Sequence, residues 1–272
     1  MSKIIWGNCI VKNEDKYIWF AVKSVINYLE KLLIFDTGST DKTVEIIQLL
    51  RKEYPEKIFF EEKGKIDAAG LSRLRQKMLD ETESDWMLLL DGDEVWWEDS
   101  IKKTIQTIDE EGENLYAIVN PTFNLVGDIF HYQEEKAGEY EILGNKGHFN
   151  IRAINRKIPG LHIKNAYPFE GFFDGNGNII QSQNHKLKLV KAPILHCSFL
   201  KRSSIDDSGT LHRNKVKLEL GLPFPDKFKF PEVFYLQRPE GIENPFKKMG
   251  LGFKLQALMA TPFRRIKRRL KK

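Results

Sequence analysis

Residues 85–97 read Asp-Trp-Met-Leu-Leu-Leu-Asp-Gly-Asp-Glu-Val-Trp-Trp, an apolar run that ends on three carboxylates. Asp91, Asp93 and Glu94 stand so close in the chain that they repel one another unless a cation or a hydrogen-bonded ligand lies between them. Gly92, lacking a side chain, leaves room for a bulky anion and its metal to approach the backbone. A plain acidic turn after a strand explains these residues equally well when they are read alone. Asp36 ends a second apolar run and leads into Thr37-Gly-Ser-Thr-Asp41. A carboxylate at a strand's carboxyl end accepts hydrogen bonds from a nucleobase or ribose, and a following helix N-terminus offers exposed N–H groups. Capping accounts for Asp41, but not for Asp36. Asp67 and Arg75 form the next pair. The planar fork of an arginine suits a diphosphate, with Arg73, pointing elsewhere on a helix, as the runner-up.

The elements that must carry these residues alternate. Ile4 to Val11 reads as a strand and Glu14 to Lys31 as a helix, with Ile18, Val22, Val25, Ile26 and Leu29 at helical spacing. Leu32 to Phe35 is a second strand, followed by a helix capped among Ser39, Thr40 and Asp41 and running through Glu53. Ile58 to Glu61, Leu71 to Thr82, Met87 to Leu90 and Asp99 to Glu110 continue the series. This order implies a parallel sheet with helices on both faces, and the unbroken apolar run at Met87–Leu90 fits a strand covered on both sides. In open α/β sheets ligands bind at the carboxyl ends of such strands.

After Gly112 the pattern changes to shorter, antiparallel-looking strands at Tyr116–Asn120, His148–Asn155, Phe172–Phe173, Ile179–Ser182 and Ala192–Phe199. Asp174-Gly-Asn-Gly-Asn178 has the look of a calcium loop, but its twelfth position is His185 rather than a bidentate Glu. It reads as a hairpin turn. A polar helix is expected over about Asp206–Leu220, then a Pro- and Phe-rich stretch to Pro245.

Hydrophobic residues make up 41% and charged residues 30% of the 272, as in a soluble globular protein. No apolar run approaches the roughly 20 residues of a membrane span. Cys9 and Cys197 lie in apolar strand contexts without metal spacing and read as reduced core residues of a cytosolic protein. The net charge of +5 is concentrated: seven of the last nine residues are basic, and without them the rest of the chain sums to −2. A nucleic-acid-binding body is not expected from that distribution. Thr261-Pro262 reads as a helix start. Phe263, Ile266 and Leu270 share one face beyond it, and Leu251, Phe253, Leu255, Leu258 and Met259 precede it. The segment 250–272 therefore reads as an amphipathic basic helix lying on an anionic membrane surface.

Four motifs in order carry a resemblance. Val11-Lys-Asn-Glu14, Asp36-Thr-Gly-Ser-Thr-Asp-Lys-Thr43, Ser72-Arg-Leu-Arg-Gln-Lys-Met-Leu79 and Asp85-Trp-Met-Leu-Leu-Leu-Asp-Gly-Asp-Glu94 resemble family 2 glycosyltransferases of the GT-A fold. The resemblance implies a nucleotide-sugar donor, a UDP-sugar being favoured, bound by Val11, Glu14, Asp36, Asp67, Arg75 and Asp91. It places Asp36 and Asp67 on the base, Asp91 on the ribose, and Asp93 on a divalent cation that bridges the diphosphate. Oxygen ligands suit Mn2+ or Mg2+, and a Lewis acid there neutralises charge on the leaving group.

In the second half, Ile151-Arg-Ala-Ile-Asn-Arg156 followed by Phe169-Glu170 resembles the family's Arg strand and base-bearing pair, with Phe169 in place of a His. Glu170 is then the general base, in an apolar setting of Phe169, Phe172 and Phe173, and Glu94 is its competitor. His196 resembles the late His that completes the metal site with Asp91 and Asp93; a buried structural His is the equal alternative.

The expected architecture is α/β: a GT-A-like, mostly parallel sheet with flanking helices, a smaller antiparallel acceptor-side region, and the C-terminal amphipathic helix. Residues 1–115 form the donor half, 116–200 the acceptor half, 201–249 an extension and 250–272 the membrane-associating helix. The expected activity is inverting sugar transfer to a glycan or glycolipid hydroxyl, of lipopolysaccharide, capsule or lipid-linked oligosaccharide type, at the cytoplasmic membrane face. A non-catalytic nucleotide-sugar or glycan-binding protein is the alternative. A sugar nucleotidyltransferase would need a Gly-rich triphosphate loop, which Trp6-Gly-Asn-Cys9 does not supply.

Overall fold

Four apolar segments of the first half form the parallel part of a central sheet. The computed structural model describes residues 2–138, 140–200 and 217–270. Its first half runs β1 (Ile5–Val11), α1 (Ile18–Val25), β2 (Lys31–Asp36), α2 (Thr43–Glu53), β3 (Ile58–Glu62), α3 (Ala68–Glu81), β4 (Trp86–Leu89), β5 (Glu94–Trp96) and α4 (Glu98–Glu111). Strand β1 lies between β2 and β4, β3 lies outside β2, and every one of these pairs is parallel. Side chains alternate between two covered faces. Ile5, Cys9, Leu32, Ile34, Trp86 and Leu88 enter the main core, while Trp6, Leu33 and Phe35 meet Leu74 and Met78 of α3 on the other side. Both faces being buried is why these segments read as continuous apolar runs.

The second half comprises β6 (Ala117–Val126), β7 (Asp128–Tyr132), β8 (Tyr140–Ile142), β9 (Asn145–Gly147), β10 (Phe149–Asn155), β11 (His162–Lys164), β12 (Gly171–Phe173), β13 (Leu187–Leu189), β14 (Ile194–Phe199), β15 (Leu222–Pro223) and α5 (Leu251–Leu270). Strand β10 runs antiparallel to β4 on one side and to β6 on the other, joining the two halves in one sheet. Strand β14 lies parallel to β6 and antiparallel to β5. The mixed α/β architecture with a parallel donor-side sheet is as the sequence indicates, and both cysteines are buried and free.

Several local expectations are corrected. Helix α1 is much shorter than Glu14–Lys31, because the chain tightens into a 3-10 turn at Ile26–Tyr28 before β2. The segment Ile179–Ser182 is not a strand. Ile179 alone bridges Phe173, and Ile180–Ser182 is a 3-10 turn. Between them the Asp174 carboxylate accepts from the backbone N–H groups of Asn176 and Asn178, closing the expected hairpin turn. Strand β5 is absent from the sequence reading; three residues give no period, and only pairing with β14 defines it. Most of the polar helix expected over 206–220 lies outside the described residues, and Lys217–Leu220 is not helical.

Helix α5 begins at Leu251, well before Thr261-Pro262, and Pro262 sits inside it. A helical proline forfeits one N–H bond and crowds the carbonyl four residues back, here that of Leu258, which is on the solvent side. The Thr261 hydroxyl donates to the Ala257 carbonyl and accepts from the Leu220 N–H, fixing this turn to the body. The stretch before α5 is held by phenylalanines. Phe224 stacks on Phe228 at 3.9 Å and on Tyr132 at 4.5 Å, while Phe230 and Phe246 meet Phe130 of β7.

Candidate active site

The acid turn links β4 to β5, and its tightness depends on Gly92. A Cβ there would meet Val11 Cγ2 at 3.0 Å and Glu14 Cγ at 3.2 Å, so the missing side chain accommodates the β1 loop. The turn closes with the Glu94 N–H donating to the Asp91 carbonyl at 3.0 Å. Pairing of β5 with β14 sets His196 directly opposite Glu94. The imidazole Nε2 lies 3.5 Å from Asp93 Oδ1, and its Nδ1 lies 3.9 Å from Glu94 Oε1.

Arg152 completes the cluster. In the β10–β6 ladder the register steps from Ile151 to Ala153, leaving Arg152 as an unpaired bulge residue. Bulges re-aim side chains beside functional sites. The guanidinium Nη2 reaches Asp91 Oδ2 at 3.2 Å and also bonds Glu94 Oε1. Burial pushes the Glu94 carboxyl up to about 7 despite Arg152. Burial also pushes Asp91 upward, but the charge of Arg152 overrides it and holds that carboxyl below its ordinary range. For His196, burial favours the neutral ring, yet Asp93 foremost among the neighbouring acids raises it to about 9. The cluster thus sets three acids against Arg152 and the His196 ring.

These residues fit a divalent cation. One ligand atom each from Asp91, Glu94 and His196 lie within 4.8 Å of one another, and Glu94 Oε2 is buried without a hydrogen-bond partner. Two carboxylate oxygens and an imidazole nitrogen are a donor set for Mn2+. Asp93, expected as the principal ligand, faces the other nitrogen of the ring, the arrangement by which a carboxylate orients a metal-binding histidine.

The donor-side residues fall into two groups. A cleft of about 1100 Å3 opens over the carboxyl ends of the strands, and Glu14, Arg75, Asp91, Asp93 and His196 line it. Val11, Asp36, Asp67, Glu94 and Glu170 are not on its lining. Asp36 is buried and accepts from the N–H groups of Gly38 and Ser39, both at 2.9 Å, and from the Ser39 hydroxyl. Gly38 has φ +86°, the left-handed conformation this turn requires. Asp67 caps α3 by accepting from the Gly70 N–H at 2.6 Å.

Asp67 and Arg75, expected to face one crevice, have different neighbours. Asp67 lies 3.7 Å from Arg73, and Arg75 Nε lies 3.6 Å from Glu170 Oε1. Two residues apart on a helix point in nearly opposite directions, so Asp67 at the cap reaches only one of them. Gln76, at the position of the family's Asn, accepts from the Ile163 N–H at 2.7 Å and thereby ties α3 to β11. Phe169 does not cover Glu170. Phe169 is 78% exposed, and the neighbour of Glu170 is a guanidinium.

Two features were not read from the sequence. Arg152 appeared there only as part of a strand motif; its period-breaking bulge has no signature in a single sequence. The other is the floor and far wall of the cleft. Asn124 meets His148 Nδ1 at 2.8 Å on the floor, and residues of α5 reach the wall.

Residues 9–172, more than half of the chain, match the model of Glycosyl transferase family 2. The chain belongs to that family. Among curated proteins, this family 2 chain is 24% identical over 194 residues to the SPbeta prophage-derived glycosyltransferase SunS of Bacillus subtilis (strain 168), covering 65% of the chain and 42% of SunS. SunS of Bacillus phage SPbeta aligns with the same identity and coverage. The chain spans less than half the length of these curated relatives. Solved structures with some likeness include S. aureus TarS 1–349 in complex with UDP-GlcNAc, at 14% identity and TM-score 0.48, covering 74% of this chain and 59% of that one. Another is the mannosyltransferase PcManGT from Pyrobaculum calidifontis in complex with GDP-Man and Mn2+, at 12% identity and TM-score 0.47, covering 72% and 57%.

Proposed function

We propose that this chain is an inverting, cation-dependent glycosyltransferase that moves a sugar from a nucleoside-diphosphate donor to a hydroxyl of a membrane-associated glycan or glycolipid. The observation that carries the reading is the convergence of Asp91, Glu94 and His196 at the carboxyl end of β4, in a family 2 domain. Those three residues would hold Mn2+ or Mg2+, with Asp93 orienting the imidazole. Bound there, the cation would supply charge neutralisation to the departing diphosphate. Asp91 also lies where the ribose is expected, and Asp36 shapes the loop that receives the base.

Glu170 is the better candidate for the general base. Glu94 is fully buried and bonded to Arg152, out of reach of an acceptor hydroxyl. Glu170 has one oxygen beside Arg75 and its other oxygen without a hydrogen-bond partner. A donor diphosphate that draws Arg75 to itself frees the Glu170 carboxylate to take the acceptor's proton.

Attachment to a membrane surface is supported by α5. No helix among the described residues is long and apolar enough to cross a membrane, but Leu251, Leu255, Leu258, Met259, Phe263 and Leu270 are all exposed along it. An outward apolar stripe with flanking Arg265 and Arg269 suits anionic lipid.

The reading is tested with UDP-, GDP- and dTDP-sugars and Mn2+, following thermal shift and donor hydrolysis. Asp91→Asn is expected to abolish hydrolysis. Glu170→Gln is expected to keep donor binding and lose about 100-fold or more in transfer. A wild-type protein that neither binds nor hydrolyses any of these donors would refute the assignment, and full transfer by Glu170→Gln would remove that residue from the mechanism.

A further inference from the structure

The cleft has two chemically different walls. The acids and Arg75 form one. On the other stand Lys136 and Lys146, from the segment between β7 and β10, with Arg264 and Lys267 of α5, a helix that Arg268 ties to that segment through Glu134. The remaining arginines of the cleft have carboxylate partners. Arg75 lies beside Glu170, Arg152 bonds Asp91 and Glu94, and Arg268 bonds Glu134 and Glu219. Among the described residues no carboxylate pairs with Lys136, Lys146, Arg264 or Lys267. Four cations lining one cleft raise its potential and concentrate an anion there.

We propose that this wall is a phosphate-binding subsite, and that the acceptor sugar brought to the cleft carries a phosphate held by Lys136, Lys146, Arg264 and Lys267. The inference rests on the glycosyltransferase reading for the word acceptor, but not for the subsite. The donor's diphosphate is not the occupant, because its charge is met on the opposite wall by Arg75 and by the cation that Asp91, Glu94 and His196 are built to hold. Bilayer headgroups are not the occupant either. Arg264 follows Ala257 and Thr261 at helical steps on the docked face, whereas the apolar stripe that would meet lipid points the other way. Lysine ammonium groups and an arginine fork together satisfy the several oxygens of a phosphate. Helix α5 therefore has two roles, its outer face for lipid and its inner face for the phosphate of the molecule being glycosylated.

The test uses glucose 1-phosphate and glucose as probes, titrated calorimetrically in the presence of saturating UDP and Mn2+ so that the donor wall is filled. The wild-type protein is expected to bind glucose 1-phosphate roughly tenfold or more tightly than glucose. Lys136→Gln with Lys146→Gln, and separately Arg264→Gln with Lys267→Gln, are each expected to erase most of that preference. The two double variants alter different elements, so a folding defect in one leaves the other informative. UDP affinity is expected to stay within about twofold in both. Equal binding of the two probes by the wild type, or an undiminished preference in both variants, would overturn the subsite. A parallel loss of UDP affinity would reassign the wall to the donor and overturn it too. So would weakened binding to phosphatidylglycerol vesicles with glucose 1-phosphate binding intact. If no nucleotide sugar is hydrolysed while glucose 1-phosphate is still preferred, the enzymatic reading falls and the subsite stands.

Discussion

Arg152 is the counter-charge on which the acid turn depends. Asp91 and Glu94 share its guanidinium, and Glu94 is fully buried, so removing the arginine leaves a buried acid beside two others. Arg152→Ala is expected to cost about 3–5 kcal/mol, the range for breaking a buried pair from one side. Arg152→Lys should recover only part, since a compact ammonium does not span both carboxylates. Urea denaturation reads both; an unchanged midpoint for Arg152→Ala would contradict this account. Much of the site was legible at this scale. Asp91, Asp93 and Glu94 stand together as their spacing suggested, and His196, which only the resemblance pointed to, lies opposite Glu94. What was not legible was who faces whom. Asp67 and Arg75 were expected to face one crevice, and only Arg75 lines the cleft, beside Glu170; Phe169, expected in the apolar setting of Glu170, is exposed. Those facts depend on helix phase and loop path, which a residue's type does not encode.

Elements with two covered faces were readable in the sequence, as β1, β2 and β4 show, because their apolar runs have no other use. Elements defined by partners were not. Strand β5 exists only opposite β14, and α5 begins ten residues before Thr261, which is anchored to Leu220 inside the helix. The docking of α5 also rests on Arg268, which bonds the buried Glu219 and, at 2.9 Å, Glu134. Burial pushes Glu219 upward, but the bond and charge of Arg268 prevail and hold its carboxyl below the ordinary value of 4.5. A lowered folded pKa contributes stability that is fully present above that ordinary value and is lost as pH falls through the folded one. Arg268→Ala should therefore destabilise the protein at neutral pH by about 1–3 kcal/mol, discounted because Arg268 is partly exposed. The difference from wild type should shrink under acid. Thermal melts across that range check it, and a pH-independent difference would show that packing rather than charge anchors the helix.

For the whole molecule, the net charge of +5 hides a near-neutral body and a basic end, and the structure folds that end back over the cleft. The sequence showed the helix's amphipathic character but not that its polar face is a wall of the site. Leu255→Asp with Leu258→Asp, both on the outer stripe, should reduce partitioning onto phosphatidylglycerol vesicles roughly tenfold or more. Vesicle sedimentation measures this, and undiminished binding would remove the stripe from the membrane contact. The two halves of the chain meet at β10, between β4 and β6, and there the bulge at Arg152 makes the site a matter of phase. Side chains along a strand alternate, so one extra residue reverses the side toward which everything beyond it points. A chain shortened by that one residue would still spell every acid, the histidine and the neighbouring strands. It would have lost the guanidinium together with the half-step that turns it toward the acids, and with them the place where the two halves agree on a common centre.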